Sequence, residues 1–176
     1  TYVAREKLVR NLQDIRGLYQ TAADMGRKIT SRVLDLSVCE TSKNIGRKMK
    51  LPLGHKLWRL ERVRSLDGTP VTISQIYLDA ERFPNLNEYD FESESLYGVL
   101  KERYGVEVKS GFENLSISNC DEKEAEYLMV RAGAPVLYQS GVTTDNQDQV
   151  FECFKEITLA EYICLASELT RKQPVS

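Results

Sequence analysis

The sequence is poor in the residues from which metal sites and disulfide frameworks are built. It has a single histidine, His55, which excludes a site with several imidazole ligands and a relay between two imidazoles. A chain of 176 residues is long enough to bury the core of one domain without disulfides. We therefore expect free thiols and a cytoplasmic location. The four cysteines stand apart, with no C-x-x-C pair: Cys39, Cys120, Cys153 and Cys164.

The chain also lacks long apolar runs and an excess of positive charge. No apolar run approaches the ~18 residues of a membrane-spanning helix, and residues 1–20 are polar and charged, unlike a signal peptide. Lysine and arginine number 24 against 26 aspartate and glutamate residues, whereas a surface that binds nucleic-acid phosphates carries concentrated positive charge. We expect no membrane partner and no direct DNA contact. Because the chain begins at Thr1, we expect it to be a piece of a longer protein.

The common short motifs of catalysis are missing. The sequence contains no G-x-S-x-G, no glycine-rich phosphate loop, no H-E-x-x-H and no paired cysteine and histidine. A nucleophile without a positioned base is weak at its free pKa. We therefore predict no catalytic residue, no metal and no cofactor, and we interpret His55, at the start of a predicted strand, as structural.

What is present is a succession of antiparallel strands and short helices. A helix over 5–25, ending near Gly26, is predicted from apolar residues at spacings of four, three and four: Leu8, Leu12, Ile15 and Tyr19. Turn and capping signals predict the remaining elements: helices over 41–49, 95–103 and 121–131, and strands over 29–39, 56–64, 71–78, 112–119, 136–144 and 150–159. This order, without strict alternation of strand and helix, predicts an α+β fold with helices packed on an antiparallel sheet.

The strand over 56–64 carries an unusual pair of charges. Its period of two places Arg62 and Arg64 on the same face as Leu60 and Trp58. Two arginines about 7 Å apart could hold a carboxylate or a phosphate with forked donors. The alternative is that the strand end is exposed and the arginines pair with acidic residues across the sheet.

Alternation also divides the last strand into two faces. We expect the apolar face to pack on the core, which leaves Glu152 to accept hydrogen bonds from a hydroxyl or amino group of a small ligand. A solvated strand face is the alternative. Tyr97 and Tyr138 are interpreted as core aromatics whose hydroxyls reach water. The polar face carries Glu152, Phe154, Glu156 and Thr158, and the apolar face carries Phe151, Cys153, Ile157 and Leu159.

Over residues 13–160, short segments occur in an order that resembles the UTRA effector-binding domain of GntR-type transcription regulators of the HutC subfamily. The most specific segment, R-x-R-x-x-D-G-x-P, begins at Arg62. The opening Thr1-Tyr2-Val3-Ala4 also resembles the end of a winged-helix wing. The other segments that carry the resemblance are Leu51-Pro52-Leu53-Gly54, Phe83-Pro84, Ser95-Leu96-Tyr97, Tyr104-Gly105-Val106 and Ala134-Pro135-Val136-Leu137.

The resemblance implies a chorismate-lyase-like α+β fold and a homodimer. It also implies a small-molecule effector, an anionic metabolite such as a sugar phosphate or amino acid derivative, that alters operator binding by an N-terminal winged helix-turn-helix absent from this chain. Residues 1–12 would be a linker remnant, 13–170 the effector-binding and dimerisation domain, and 171–176 a tail. By motif match, the ligand contacts are Arg62, Arg64, Ser74, Ser95, Glu152 and Thr158.

The chain departs from the family pattern at three places. Gly17-Leu18-Tyr19 stands where many sugar-phosphate-binding members have Ser-Phe-Thr, which removes hydroxyls that help to hold phosphate. Thr158 replaces the usual aromatic and is followed by Leu159-Ala160-Glu161, and Ser74 replaces an acidic residue of some members. We therefore expect a ligand of different shape, with or without a phosphate.

The register of the hairpin over 56–78 tests this assignment. A two-residue Asp67-Gly68 loop would pair Arg62 with Ile73, whereas a three-residue loop would pair Arg62 with Ser74. We predict the second register, because it places Arg62, Arg64, Thr72 and Ser74 on one face. Two other functions fit the same fold: a lyase-like enzyme that acts on a small anionic metabolite, and a dimerisation module without a ligand.

Overall fold

The computed structural model describes residues 6–13 and 18–170. The strands are β1 (Leu8–Asn11), β2 (Ile29–Glu40), β3 (Lys56–Leu66), β4 (Thr69–Asp79), β5 (Val108–Asn119), β6 (Pro135–Asp145), β7 (Val150–Leu159) and β8 (Ile163–Ala166). The helices are α1 (Leu18–Asp24), α2 (Lys43–Met49), α3 (Leu96–Tyr104) and α4 (Glu122–Leu128), with short 3₁₀ turns at Leu86–Glu88 and Ala160–Tyr162. The predicted tail, 171–176, lies outside the described residues.

Six strands form one antiparallel sheet in the order β2-β3-β4-β7-β6-β5, while β1 and β8 form a separate parallel pair. The long hairpins β3–β4 and β6–β7 therefore lie at the centre of the sheet. The α+β fold with an antiparallel sheet is confirmed. Ser95, and not Ser93, is the N-cap of α3, and Asp121 caps α4 in a complete capping box with Glu124.

The helix predicted over 5–25 is wrong in its first half. Residues 8–11 form β1, which pairs in parallel with β8, and α1 begins only at Leu18. Leu8 is buried in the core, whereas Leu12 and Tyr19 are exposed, and Ile15 lies outside the described residues. The helical spacing was coincidental, because β1 takes its hydrogen-bond partner from the opposite end of the chain.

The two faces of the sheet are covered differently. One face packs against α4, where Ile73 and Ile157 cluster with Ala125 and Leu128, and against α2, where Met49 clusters with Leu57 and Cys153. The other face is apolar beneath α3 and the segment before it, and it is polar towards the end of β3 that carries the arginines. The apolar cluster on this second face comprises Leu60, Ile76, Leu78, Phe83, Leu86, Phe91, Leu96, Val99, Leu100, Val106 and Phe151.

Phe151 is an exception to the predicted alternation. We expected it beside Cys153 and Ile157, but it belongs to the cluster beneath α3, with its ring 6.5 Å from that of Phe83. The register between β6 and β7 shifts between Thr143 and Thr144, next to this position. A bulge of this kind adds a residue on one strand and so breaks the period of two.

The β3–β4 hairpin has the predicted register but not the predicted loop. Arg62 pairs with Ser74, as expected. The loop is nevertheless the two-residue Asp67-Gly68 turn, with positive φ at both positions, as a type I′ turn requires. An irregularity between Arg64 and Ser65 shifts the register by one and replaces the longer loop.

Candidate functional site

The polar half of the second sheet face forms the floor of a cavity of about 920 Å³. Strands β3, β4, β7 and β6 provide the floor, and residues 92–97, α1 and β1 contribute to the walls. A cavity of this size suits a small metabolite. The sheet positions its polar residues because alternate side chains on neighbouring strands point to the same side.

Arg62 and Arg64 lie side by side on this floor, opposite Ser74 and Thr72. Only 3% of Arg62 is exposed. Its Nε and Nη2 atoms, and Nε of Arg64, are buried without a hydrogen-bond partner. Neither arginine forms an ion pair within residues 6–13 and 18–170, so the alternative of pairing with acidic residues across the sheet is not observed.

The surroundings of Arg62 disfavour its positive charge, which lowers the pKa of the guanidinium group. Burial, reinforced by the neighbouring charge of Arg64, lowers the pKa of Arg62 to about 9, against a weaker opposing effect of Glu156 and Glu152. The side chain is still cationic at neutral pH. A buried cation with free donors is therefore available to an anionic group of a ligand.

Glu152 is the most deeply buried acid of the site, with 1% of its surface exposed. Its Oε2 accepts hydrogen bonds from the hydroxyl of Tyr97, at 2.7 Å, and from that of Thr143. Burial raises the pKa of Glu152, although these two hydrogen bonds oppose the shift. Burial and the adjacent carboxylate raise the pKa of Tyr97, which keeps its hydroxyl protonated as a donor.

Threonine and serine hydroxyls lie at the floor or directly beneath it. Thr158 and Thr72 share a hydrogen bond of 2.9 Å between their hydroxyls. Ser74 is fully buried between Arg62 and Glu156 in the register of the sheet, and its Oγ has no partner. It lies at the base of the site and is not among the residues that form the cavity wall.

Ser95 lies at the exposed rim of the cavity. Its Oγ accepts a hydrogen bond from the backbone N–H of Gly98, at 3.4 Å, and so caps α3. This cap fixes the start of the helix and hence the position of Tyr97 over Glu152. The structure thus brings five of the predicted contact residues to the cavity wall, with Ser74 beneath them. Gly17, which stands where many family members have the serine of Ser-Phe-Thr, lies outside the described residues.

Sequence reasoning missed several residues of the site. Tyr97 was interpreted as a core aromatic, yet it lines the cavity with its hydroxyl on Glu152. Gln139 and Thr143 line the cavity from β6, two residues before and two residues after Gly141. Residues two apart on a strand share a face, so this spacing could have revealed them. Gly141 is required there, because a Cβ would lie 2.0 Å from the carbonyl oxygen of Phe112 on β5.

The other candidates lie away from the cavity. Nε2 of His55 lies 2.7 Å from the carboxylate oxygen Oδ1 of Asp79, which accepts the hydrogen bond, consistent with the structural interpretation. All four cysteines are free. Within the described ranges, no group of three or more His, Cys, Asp or Glu residues is arranged to hold a metal ion. In the same part of the chain, no helix is long and apolar enough to cross a membrane.

Comparison with known proteins places this architecture among transcriptional regulators. The chain is 23% identical over 170 residues to a probable fructoselysine utilization operon transcriptional repressor of Escherichia coli K12, a match that covers 97% of the chain and 67% of that protein. The crystal structure of PhnF from Mycobacterium smegmatis has a TM-score of 0.88 at 21% identity, over 96% of this chain and 74% of that one. The effector domain of PhnF, solved alone, has a TM-score of 0.86 at 20% identity, over 93% of this chain and 99% of that one.

The chain therefore spans about two thirds of the length of the curated relatives it matches. The family model described as the UTRA domain matches residues 24–163, which include the whole six-stranded sheet. Because this match covers most of the chain, the chain belongs to the UTRA domain family, the effector-binding domains of GntR-family transcriptional regulators.

Proposed function

We propose that the domain binds a small anionic effector in the cavity and that binding controls operator affinity through an attached N-terminal winged helix-turn-helix. The observation that carries this proposal is the pair of arginines on the cavity floor. Arg62 and Arg64 present buried donors without partners, and such groups are costly unless an acceptor arrives. A carboxylate or a phosphate has the oxygen geometry that guanidinium donors bind.

The remainder of the site narrows the ligand class. Glu152 and Glu156 line the same cavity as the arginines, and their carboxylate oxygens can accept hydrogen bonds from a ligand. An effector that carries hydroxyl or amino groups beside its anionic group would use both sets. The relative from Escherichia coli is named for fructoselysine utilization, which makes sugar–amino acid conjugates a reasonable first class to test.

The first experiment is a thermal-shift screen with phosphorylated sugars, sugar–amino acid conjugates and dicarboxylates. A ligand at 100 times its dissociation constant adds about 2.7 kcal/mol to stability. We expect at least one compound to stabilise the wild type and to fail with Arg62→Gln. Arg32→Gln is the matched control, because Arg32 is exposed on the adjacent strand, opposite Val63 and outside the cavity wall. No response from any compound would favour the dimerisation module without a ligand.

We propose further that the domain performs no catalysis. The described residues that line the cavity include no cysteine and no histidine. Nucleophilic catalysis needs a nucleophile with a base in hydrogen-bond reach. Proton NMR of the domain mixed with each bound compound, or with chorismate, should show no turnover over hours. Turnover that Glu152→Gln abolishes would establish the lyase-like alternative.

For regulation we propose that the protein is a homodimer, because a two-fold symmetric protein matches a two-fold symmetric operator. We place it in the cytoplasm, where bacterial DNA lies. Sedimentation at tens of micromolar should give a dimer. In the full-length regulator, the effector must change operator affinity, and the operator must change effector affinity by the same factor. Effector binding that leaves operator affinity unchanged would refute the allosteric part alone.

A further inference from the structure

Strand β1 brings another arginine to the cavity. Arg10 lies on β1 and contributes to the cavity wall, although β1 pairs only with β8 within the part of the chain that the structure describes. Leu8 anchors the strand in the core, and the backbone N–H of Leu12 donates a 2.8 Å hydrogen bond to Ala166. The side chain of Arg10 is 13% exposed, so this charge is held inside the protein.

The contacts of Arg10 are incomplete. Its Nη2 donates to both carboxylate oxygens of Glu113, at 3.0 and 3.1 Å. Glu113 belongs to β5, the edge strand of the six-stranded sheet, and also lies 3.5 Å from Nε2 of Gln139. Nη1 of Arg10 is buried without a hydrogen-bond partner. One side of the guanidinium thus ties β1 to the sheet, while the other has a donor without an acceptor.

The same deficiency recurs at three arginines around one cavity. Arg10, Arg62 and Arg64 all line it, and each has at least one buried nitrogen without a partner. These nitrogens are removed from water, and an anion that enters the cavity would accept hydrogen bonds from them. A purely structural latch between Arg10 and Glu113 would account for Nη2 but not for Nη1.

We propose that Arg10 is an additional anion-binding residue of the cavity and that a bound anion therefore holds β1 against the sheet. The proposal rests on the proposed function, since it assumes that an anionic group occupies the cavity. It assigns to β1 a direct part in ligand binding. The ligand class is an anion with several oxygen acceptors, whether a phosphate or a dicarboxylate. Through Arg10, occupation of the cavity changes the stability of the strand at the N-terminal side of the domain.

Inorganic phosphate and succinate, each tested at matched ionic strength, serve as probes. Calorimetry should show that Arg10→Gln weakens binding of the preferred probe roughly 10-fold, since the loss of one hydrogen bond to a charged group lowers affinity by about that factor. Arg10→Lys, which keeps the charge beside Glu113 but loses the second donor branch, should weaken binding several-fold. Lys7→Gln is the matched control, because Lys7 is exposed, lies next to β1 and is not part of the cavity wall.

Two further measurements separate ligand contact from a latch. Glu113→Gln removes the ion pair but keeps an amide oxygen that can accept from Arg10, and it removes a negative charge from the cavity wall, so affinity for the probe should not fall by more than about 3-fold. Hydrogen exchange of the peptides that contain β1 and β8 should slow when the wild type is saturated with probe, and this slowing should be absent in saturated Arg10→Gln.

If Arg10→Gln binds the probe like the wild type while Arg62→Gln does not, the role of Arg10 is refuted and the proposed function stands. Equal losses in Glu113→Gln and Arg10→Gln would also refute ligand contact by Arg10, because the latch would then explain both. A wild type that binds neither probe at millimolar concentration would refute the role of Arg10, and the proposed function would fall with it only if no compound of the thermal-shift screen binds either.

Discussion

Two buried charges in this domain have opposite surroundings. Asp145, at the end of β6, is 0% exposed and forms an ion pair with Arg82. Its Oδ1 also accepts the backbone N–H groups of Gln147 and Gln149, at 2.8 and 2.9 Å. Arg62 is buried to a similar degree, but two of its nitrogens have no partner at all.

Under the proposed function, the difference is that between a charge that stabilises the fold and a charge that binds a ligand. Burial alone would raise the pKa of Asp145, yet Arg82 and the two N–H groups lower it overall, so the folded protein favours the carboxylate. At Arg62, burial lowers the pKa and so disfavours the cation. A protein stabilises its structural charges with its own groups, whereas a binding site leaves donors free at a cost in stability.

The largest expected effect concerns the satisfied charge. Asp145→Asn leaves Arg82 without its carboxylate and should lower the free energy of unfolding by about 3 kcal/mol in denaturant titrations. Because the folded-state pKa of Asp145 is lowered, its contribution should be present above the ordinary pKa of aspartate and should disappear as the pH falls through the lowered value.

Asp148→Asn is the control for this variant. Asp148 lies in the same turn and pairs with Lys109, but its side chain is 73% exposed. An exposed ion pair contributes less than about 1 kcal/mol. Similar losses in the two variants would show that the burial of Asp145 has no special role.

Arg62→Gln and Arg64→Gln should show the opposite pattern. Each should weaken effector binding roughly 10- to 100-fold, measured by calorimetry with the compound found in the screen. The free energy of unfolding should change by less than about 1 kcal/mol, because no protein partner is abandoned. Unchanged affinity with a loss of about 3 to 5 kcal/mol would instead mark the arginines as structural.

A smaller effect is expected from Glu152→Gln. Glu152 is intermediate between Asp145 and Arg62, because it lines the cavity but also accepts two hydrogen bonds from the protein. The pKa of Glu152 is raised by burial, so the folded state binds its proton more tightly than the unfolded state does. Stability should therefore decline as the pH rises from the ordinary glutamate range through the raised pKa. The glutamine variant should lack this decline in urea titrations at a series of pH values. Parallel curves for the two proteins would mean that Tyr97 and Thr143 compensate fully for burial.

The smallest effect is expected at His55, which belongs neither to the Asp145–Arg82 pair nor to the cavity. Its hydrogen bond to Asp79 raises the pKa of the imidazole, with a lesser contribution from the charge of Glu81. The stability from this pair is complete below the ordinary histidine pKa and is lost as the pH rises through the raised pKa. Between about pH 6 and about pH 9, the melting temperature should fall more for the wild type than for His55→Gln. Identical falls would contradict the assignment.

Local sequence patterns predicted much of the fold and part of the site. The Asp67-Gly68 turn and the capping box that begins at Asp121 are short-range signals, and both elements form where expected. The register that places Arg62 opposite Ser74 was also predicted, although an irregularity at Arg64 produces it in place of a longer loop. Bulges depend on how two strands pair and twist, which a single strand's alternation does not reveal.

The errors share a physical cause. Strand β1 was predicted as helix because its partner, β8, lies at the other end of the sequence. Phe151 left its expected face because of a register shift against β6. Tyr97 was taken as core, since only the docking of α3 on the sheet brings its hydroxyl to Glu152. Each error arose where a long-range contact overrode a local preference.

By itself, the sequence determined which residues alternate, where the chain turns, and that Arg62 and Arg64 point to one side of a strand, because these follow from backbone periods and turn chemistry. Only the tertiary structure decided that both arginines keep buried donors without partners, that Asp145 is satisfied by Arg82, and that Arg10 reaches the same cavity. Whether a charge finds a partner depends on which distant segments meet in the fold, and no local pattern encodes that.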